Sequence, residues 1–169
     1  MNQNKVVEEV KEWIGEFVTK PNPLLQNLPP CPYAKQAMLE DKVKIVVPTE
    51  GTVSYAIQHA LINFDHNLDL VMLVFDPKLM DAETFEACVW QWNKTVDPQF
   101  VLLDDHPDNE ENINGAIMNN GKYAIVFIQK SDKLNEASDY LKSKTKYYDV
   151  WSQENLDDVV TSRKDKKRS

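Results

Sequence analysis

The sequence predicts an α/β fold, with a mixed, mostly parallel sheet of about four strands and helices on both faces. Apolar segments with strand character alternate along the chain with amphipathic helical segments, which is the order found in βαβ units. Residues 68–75 form a continuous apolar run that is typical of a strand buried on both faces. The 169 residues are 42% hydrophobic and 27% charged, as in an ordinary globular domain. We therefore expect one α/β domain over residues 1–162.

The spacing of apolar residues predicts the individual helices and strands. Apolar residues three and four positions apart predict helices, which we place at residues 6–18, 34–39, 53–64, 82–92, 132–141 and 153–160. Asp81, Ser131 and Ser152 are the expected N-caps of the last three helices. Runs of β-branched and other apolar residues predict strands, at residues 43–47, 68–75, 100–103 and 123–128.

Two segments late in the chain leave alternatives open. Residues 112–118 fit either a helix or one arm of a hairpin. Asn120 and Gly121 predict a tight turn before the last strand, because an Asn-Gly pair readily adopts positive φ angles. The strand at residues 123–128 fits the sheet in either a parallel or an antiparallel direction.

The charge of the chain is unevenly distributed. The formal net charge is −8, and residues 163–168 contain five basic residues and one acidic residue, which leaves −12 on the rest of the chain. Because an acidic body repels phosphate, we do not expect nucleic-acid binding. Residues 163–169 are predicted to be a basic disordered tail, which is either a solvated terminus or an electrostatic arm for an anionic partner.

Apolar runs and cysteine content indicate the cellular environment. The apolar runs are much shorter than the roughly 18 residues needed for a membrane helix, and Met1–Lys5 does not resemble the start of a signal peptide. We therefore expect a cytoplasmic location and no membrane association. Cys31 and Cys88 are the two cysteines, 57 positions apart, so we expect reduced thiols rather than a disulfide framework.

Several common functional motifs are absent from the sequence. The four glycines form neither the dinucleotide-binding fingerprint nor the phosphate-binding loop that ends in Lys and Ser or Thr. A Gly-x-Ser-x-Gly nucleophile turn and a zinc-protease helix with two histidines four positions apart are missing too. No cofactor can be identified from the sequence.

Cys31 is the first candidate catalytic residue. It lies between Pro30 and Pro32, immediately before the predicted helix at residues 34–39. A thiol at a helix N-terminus lies near the positive end of the helix dipole, which favours the nucleophilic thiolate. The alternative is a structural role, because free cysteines are among the most frequently buried residues.

The second group of candidates follows the third predicted strand. Ligands collect at the carboxyl ends of parallel strands, so we expect a site near residues 48–52, 76–77 or 104–107. Asp104 and His106 would point to the same side of a continuing strand, where they could act as an acid–base pair or share a metal ion. The alternative is a solvated acidic turn in which Asp108 caps the next segment. We assign catalytic roles to Cys31, His106 and Asp104, and binding roles to Asp105, Asn119 and Tyr123, with no residue committed to a metal.

One resemblance concerns the segment from Cys31 to Lys35. Cys31-Pro32-Tyr33-Ala34, followed by a helix and a strand, resembles the start of a glutaredoxin. That resemblance implies thiol chemistry. Ala34 occupies the place of the second cysteine, so the motif can act only as a single-thiol site.

A second resemblance covers most of the chain. The motif at Cys31, the strand that ends near Pro77, the His106-Pro107 pair and the Asn-rich turn at residues 119–123 resemble a bacterial family of uncharacterised small α/β proteins. In that family an N-terminal amphipathic helix leads to a Cys-Pro-Phe-Ala motif. The resemblance implies the α/β architecture and supports Cys31 and His106 as candidates.

Two classes of function are compatible with these features. The first is a small-molecule or metal pocket with thiol or acid–base chemistry at Cys31 and His106. The second is a non-catalytic protein–protein adaptor with an acidic surface and a basic tail. A small molecule and a protein are therefore both candidate partners, and the sequence does not indicate an oligomeric state.

Overall fold

The computed structural model describes residues 1–161, and the predicted basic tail at residues 163–169 lies outside them. The helices are α1 (Gln3–Trp13, continued by a π-helical segment at Ile14–Val18), α2 (Ala34–Leu39), α3 (Val53–Ile62), α4 (Ala82–Thr95), α5 (Ser131–Lys144) and α6 (Gln153–Leu156). The strands are β1 (Val43–Val46), β2 (Leu70–Phe75), β3 (Phe100–Asp105), β4 (Asn112–Ile113), β5 (Ala116–Ile117) and β6 (Ala124–Lys130). No helix within the described residues is both long and apolar enough to cross a lipid bilayer.

The main sheet has four strands in the order β1-β2-β6-β3. β1 is parallel to β2, whereas β6 is antiparallel to both β2 and β3. The predicted α/β fold is confirmed, but "mostly parallel" is only partly right. β1, β2 and β3 point the same way, yet β6 separates β2 from β3, so one of the three neighbouring pairs is parallel. The segment between β3 and β6 brings the chain back into the sheet from the end where β3 finishes, which reverses the direction of β6.

Helices cover both faces of the sheet, as predicted. Alternate residues of a strand point to opposite faces, so each strand contributes to two cores. The first core packs α3 and α4 on one face through Ala56, Ile57, Phe85 and Val89, against strand residues Val71, Leu73, Leu102, Val126 and Ile128. The second core packs α1 on the other face through Val6, Val10 and Ile14, against Met72, Val74 and Ile125.

Two of the three predicted N-caps are correct. The Asp81 carboxylate accepts a hydrogen bond from the Thr84 N–H at 2.9 Å, and Ser152 Oγ accepts one from the Asn155 N–H at 3.1 Å. The prediction for Ser131 is wrong. Ser131 is the first helical residue of α5, and its hydroxyl donates to the Pro98 carbonyl at 2.8 Å instead of capping the helix.

The open alternative at residues 112–118 is settled as a hairpin. β4 and β5 pair antiparallel around Asn114 and Gly115, whose φ angles are +53° and +90°. Positive φ at both central residues is the pattern of a two-residue type I′ turn. In the Asn120-Gly121 pair the positive φ belongs to Gly121, at +72°, while Asn120 shapes the turn through its side chain.

The outer edge of β3 is covered by a side chain from α4. The Asn93 carbonyl oxygen accepts from the Leu102 N–H at 2.9 Å, and the Asn93 amide donates to the Leu102 carbonyl at 2.6 Å. A single amide side chain therefore occupies two of the backbone groups that a further strand would use.

Replacing Asn93 by Leu should lower the free energy of unfolding by about 1–2 kcal/mol, because both backbone groups of Leu102 lose their partner. Asn93→Asp keeps the acceptor and loses the donor, so its stability in urea unfolding should fall between that of the leucine variant and that of the native protein. Equal stability of all three proteins would contradict this role of Asn93.

Candidate functional site

Asp105 is the centre of a polar network at the end of β3. It is 7% exposed, and its carboxylate accepts from Asn119 Nδ2 at 2.8 Å, the Asn120 N–H at 3.1 Å and Asn120 Nδ2 at 2.6 Å. Burial raises the pKa of Asp105, while the hydrogen bonds from the two asparagines oppose the shift. Asn119 Nδ2 also donates to the carbonyls of His106 and Asn109. The network fastens the segment between β3 and β6 to the sheet.

His106 is buried and uses both ring nitrogens for hydrogen bonds. It is 1% exposed, and Nε2 donates to the carbonyls of Met80 at 3.1 Å and Pro77 at 3.3 Å. Nδ1 accepts from the Asp108 N–H at 3.2 Å. Because a carbonyl can only accept and an N–H can only donate, these contacts assign the neutral tautomer with hydrogen on Nε2. The ring also lies 5.7 Å from that of Phe85, so its contacts join β3, α4 and the segment before α4.

Asp104 has the electrostatic character of an acid–base group. It is half-buried at the carboxyl end of β3. Burial raises its pKa to about 6, and the negative charge of Glu86 on α4 adds to the shift. Asp104 therefore exchanges a proton near neutral pH, unlike an ordinary solvated aspartate.

Cys31 lies in a turn before α2. The helix begins at Ala34, so Cys31 is three residues outside it, and its carbonyl accepts from the Ala34 N–H at 3.1 Å. The predicted short helix after the cysteine is confirmed. The cysteine is half-buried. Burial raises the pKa of the Tyr147 phenol, and the nearby Cys31 thiol raises that pKa further.

Tyr123 lies just before β6 and is linked to α1. Its hydroxyl donates to the Glu9 carboxylate, which also pairs with Lys122 at 2.7 Å. These contacts hold the pKa of Glu9 below its usual value. Tyr123 is buried, and its N–H donates to Asn120 Oδ1 at 2.7 Å. This predicted binding residue therefore connects α1 to the turn before β6.

The structure brings most of the predicted site residues to one end of the sheet. β3 ends with Asp104 and Asp105, and His106 follows directly. Hydrogen bonds bring Asn119 and Tyr123 to the same region. The contacts of Cys31 instead involve Val18 and Tyr147. No contact described above joins Cys31 to His106, so their joint site stays a prediction. Within residues 1–161, no group of three or more His, Cys, Asp or Glu side chains is arranged to hold a metal ion.

A groove between β1 and α3 is a further candidate site. It has a volume of about 370 Å³, within the range of small-molecule pockets. Its apolar lining comes from β1, β2 and α3, through Val46, Val71, Leu73, Ala56 and Ala60. Its polar lining comes from one lysine, two carboxylates and four uncharged or titratable polar residues: Lys44, Glu50, Asp65, Thr49, Tyr55, His59 and Asn63. We refer to it as the β1–α3 groove.

One end of the β1–α3 groove is shaped by the loop after β1. Gly51 has a φ of +79°, and a Cβ there would lie 2.5 Å from the Tyr55 ring. Glycine therefore allows Tyr55 to pack against this loop at the groove wall. The loop falls within residues 48–52, where strand polarity predicts a site, but the residues of the groove floor carry no functional signal in the sequence.

Comparison of the chain with models of known families, with curated proteins and with solved structures gives no match. Both family resemblances, to glutaredoxin and to the small bacterial α/β proteins, therefore stay predictions.

His106→Phe should lower the free energy of unfolding by about 2 kcal/mol, because it leaves the Asp108 N–H and two carbonyls without their partner. Phenylalanine preserves an aromatic ring beside Phe85, so the loss of stability measures the hydrogen bonds of the two ring nitrogens. His66→Phe, at an exposed position, should be neutral in the same urea titration. A His106→Phe protein as stable as the native one would contradict the structural role of the ring.

Asp104→Asn should stabilise the protein at pH 8 and have little effect at pH 4. A carboxyl whose pKa is raised by folding contributes most when protonated, and that contribution is lost as pH rises from about 4 to about 6. The uncharged amide avoids this loss, so we expect a gain of about 2 kcal/mol at pH 8 in urea unfolding. Asp149→Asn, at an exposed position, is the control. Equal effects of Asp104→Asn at both pH values would contradict the raised pKa.

Proposed function

We propose that the protein binds a small amphipathic organic anion in the β1–α3 groove. The observation that carries this proposal is a groove of about 370 Å³ with an aliphatic floor and a lysine on its wall. Ligand pockets combine a mostly apolar lining with a few polar groups that orient the ligand. Val46, Val71 and Leu73 supply the apolar part, on which a hydrocarbon or aromatic body would lie.

Lys44 supports the choice of an anion. Its side chain is exposed at the groove, and within the described residues no ion pair occupies its ammonium group. By contrast, Lys42 pairs with Glu40 at 2.7 Å and Lys122 pairs with Glu9. An ammonium group above an aliphatic surface suits a ligand with one apolar and one negatively charged end. The His59 ring, on α3, adds a second polar group to the lining of the groove.

The contacts of two predicted site residues also favour a binding role for the protein. The predicted catalytic residue His106 and the predicted binding residue Asp105 use their polar atoms for hydrogen bonds that hold the segment between β3 and β6. Thiol chemistry at Cys31 stays a prediction. A second candidate function is acid–base chemistry at Asp104, which is favoured by its pKa of about 6, and the pH dependence of Asp104→Asn tests that ionisation.

Anilinonaphthalene sulfonate, which joins an aromatic body to an anionic group, is a suitable probe for the groove. We expect binding with a fluorescence increase, weakened about tenfold by Lys44→Glu, which corresponds to ~1.4 kcal/mol. Lys11→Glu makes the same charge change at an exposed position of α1 and should bind like the native protein.

Backbone amide shifts in an NMR titration with the same probe should change at β1, β2 and α3. Failure of the native protein to bind the probe would contradict the proposal. Equal weakening by Lys44→Glu and Lys11→Glu would also contradict it, because the effect would then follow net charge rather than the groove.

A further inference from the structure

The side chains that line the β1–α3 groove carry charges of both signs. Lys44 contributes one positive charge, and Glu50 and Asp65 contribute two negative charges. With a neutral His59, the lining therefore has one more negative than positive charge. A purely anionic ligand would meet more like charge than opposite charge, which is unfavourable. The groove is better matched by a ligand that carries a positive group beside its negative one.

Lys44 lies at the end of the groove where β1 begins. It is the second residue of β1 and lies opposite Val71 of β2 in the sheet. Residues that lie opposite each other in a sheet point to the same face, and Val71 packs in the first core with α3. The side chain of Lys44 is therefore on the α3 face of the sheet, near the start of β1.

Asp65 lies at the same end of the groove. It belongs to the turn that follows α3 and leads into β2. Its carbonyl accepts from the Leu68 N–H at 2.9 Å, and the Asp69 N–H donates to the Lys42 carbonyl at 2.9 Å. These two hydrogen bonds hold the turn beside the start of β1, two residues before Lys44.

Both side chains keep polar atoms available for a ligand. Asp65 Oδ1 accepts from the Asn67 N–H at 2.9 Å, and no hydrogen bond from residues 1–161 occupies Oδ2. Among the described residues, neither Lys44 nor Asp65 forms an ion pair with the other or with a third residue. An ammonium group and a carboxylate oxygen are therefore both available at this end of the groove, next to its apolar floor.

The carboxyl end of α3 adds to the negative potential near Asp65. The carbonyl groups in the last turn of a helix carry partial negative charge, which favours a cation. α3 ends at Ile62, and Ala60 and Asn63 from this end of the helix line the groove. The carboxylate of Asp65 and the end of α3 therefore both favour a positively charged group here.

We propose that the ligand of the β1–α3 groove is a free α-amino acid with an apolar side chain. Its carboxylate pairs with Lys44, its ammonium group pairs with Asp65, and its side chain lies along the floor formed by Val46 and Leu73. The groove volume of about 370 Å³ is large enough for such a molecule. This inference rests on the proposed function, because it names the ligand of the same groove.

The other carboxylate of the lining, Glu50, lies toward the opposite end of the groove. It follows the end of β1, and residue 48 is already about 13 Å from Lys44 at the rise of a strand. The carboxylate and the ammonium group of an α-amino acid are bonded to the same carbon. Lys44 and Glu50 would have to extend toward each other, over the floor that the apolar side chain occupies, to hold both groups. The geometry therefore favours Asp65 as the partner of the ammonium group.

Three probes with the same phenyl body separate the two charges in NMR titrations of the native protein. L-Phenylalanine carries both groups, hydrocinnamate lacks the ammonium group, and phenethylamine lacks the carboxylate. We expect L-phenylalanine to shift the amides of β1, β2 and α3 and to bind about fivefold more tightly than either of the others. Equal dissociation constants for L-phenylalanine and hydrocinnamate would overturn the amino acid and leave the binding of an amphipathic anion standing. Failure of L-phenylalanine to bind at millimolar concentration would also overturn it, whereas anilinonaphthalene sulfonate tests the groove itself.

Two substitutions with the same change of charge identify the carboxylate that holds the ammonium group. Asp65→Asn keeps an oxygen for the Asn67 N–H, so the turn is preserved, and L-phenylalanine and hydrocinnamate should then bind equally. Glu50→Gln removes the other carboxylate of the lining and should keep the fivefold preference for L-phenylalanine. A preference that persists in Asp65→Asn, or one that is lost in Glu50→Gln, would overturn the assignment to Asp65.

Discussion

The backbone hydrogen bonds that hold β6 between β2 and β3 determine the position of every other element in the sheet. β6 has a neighbour on both sides and a core on both faces, and its residues Ile125, Val126 and Ile128 have no exposed surface. Because its pairing with both neighbours is antiparallel, the chain must reverse between β3 and β6. Once β6 occupies the interior, β1 and β3 become the two edges. The two edges differ because Asn93 of α4 covers β3, whereas β1 pairs only with β2 within the main sheet.

The reversal between β3 and β6 explains why so many polar residues collect at one end of the sheet. The chain leaves the core at Asp105 and re-enters it at Tyr123, and the segment between them must satisfy its backbone groups near buried apolar residues. Asp105, Asn119 and Asn120 do this through their carboxylate and amides. His106 does the same for the segment before α4. The polar residues at this end of the sheet therefore stabilise the fold. The β1–α3 groove, at the opposite edge, has an open surface.

Local features could be predicted from the sequence, and non-local pairing could not. The apolar run at residues 68–75 predicted β2. Asp81 and Ser152 were correctly predicted as N-caps, because a cap bonds to a backbone N–H within the first turn of its helix. The insertion of β6 depends on partners far away in sequence, so no periodicity indicates it. Asn114-Gly115 carried the same hairpin signal as Asn120-Gly121, but only the former joins two strands that pair with each other. The β1–α3 groove was missed because ordinary residues from separate segments form it.

Interstrand NOEs between Hα protons test the central position of β6 most directly. Opposed residues in the non-hydrogen-bonded pairs of antiparallel strands bring such protons close together. Phe127 forms such a pair with Met72 of β2, and Val126 forms one with Asp104 of β3. We expect Hα contacts from β6 to both β2 and β3, and none between β2 and β3. Contacts from β6 to only one of these strands, or direct contacts between β2 and β3, would contradict this arrangement of the sheet.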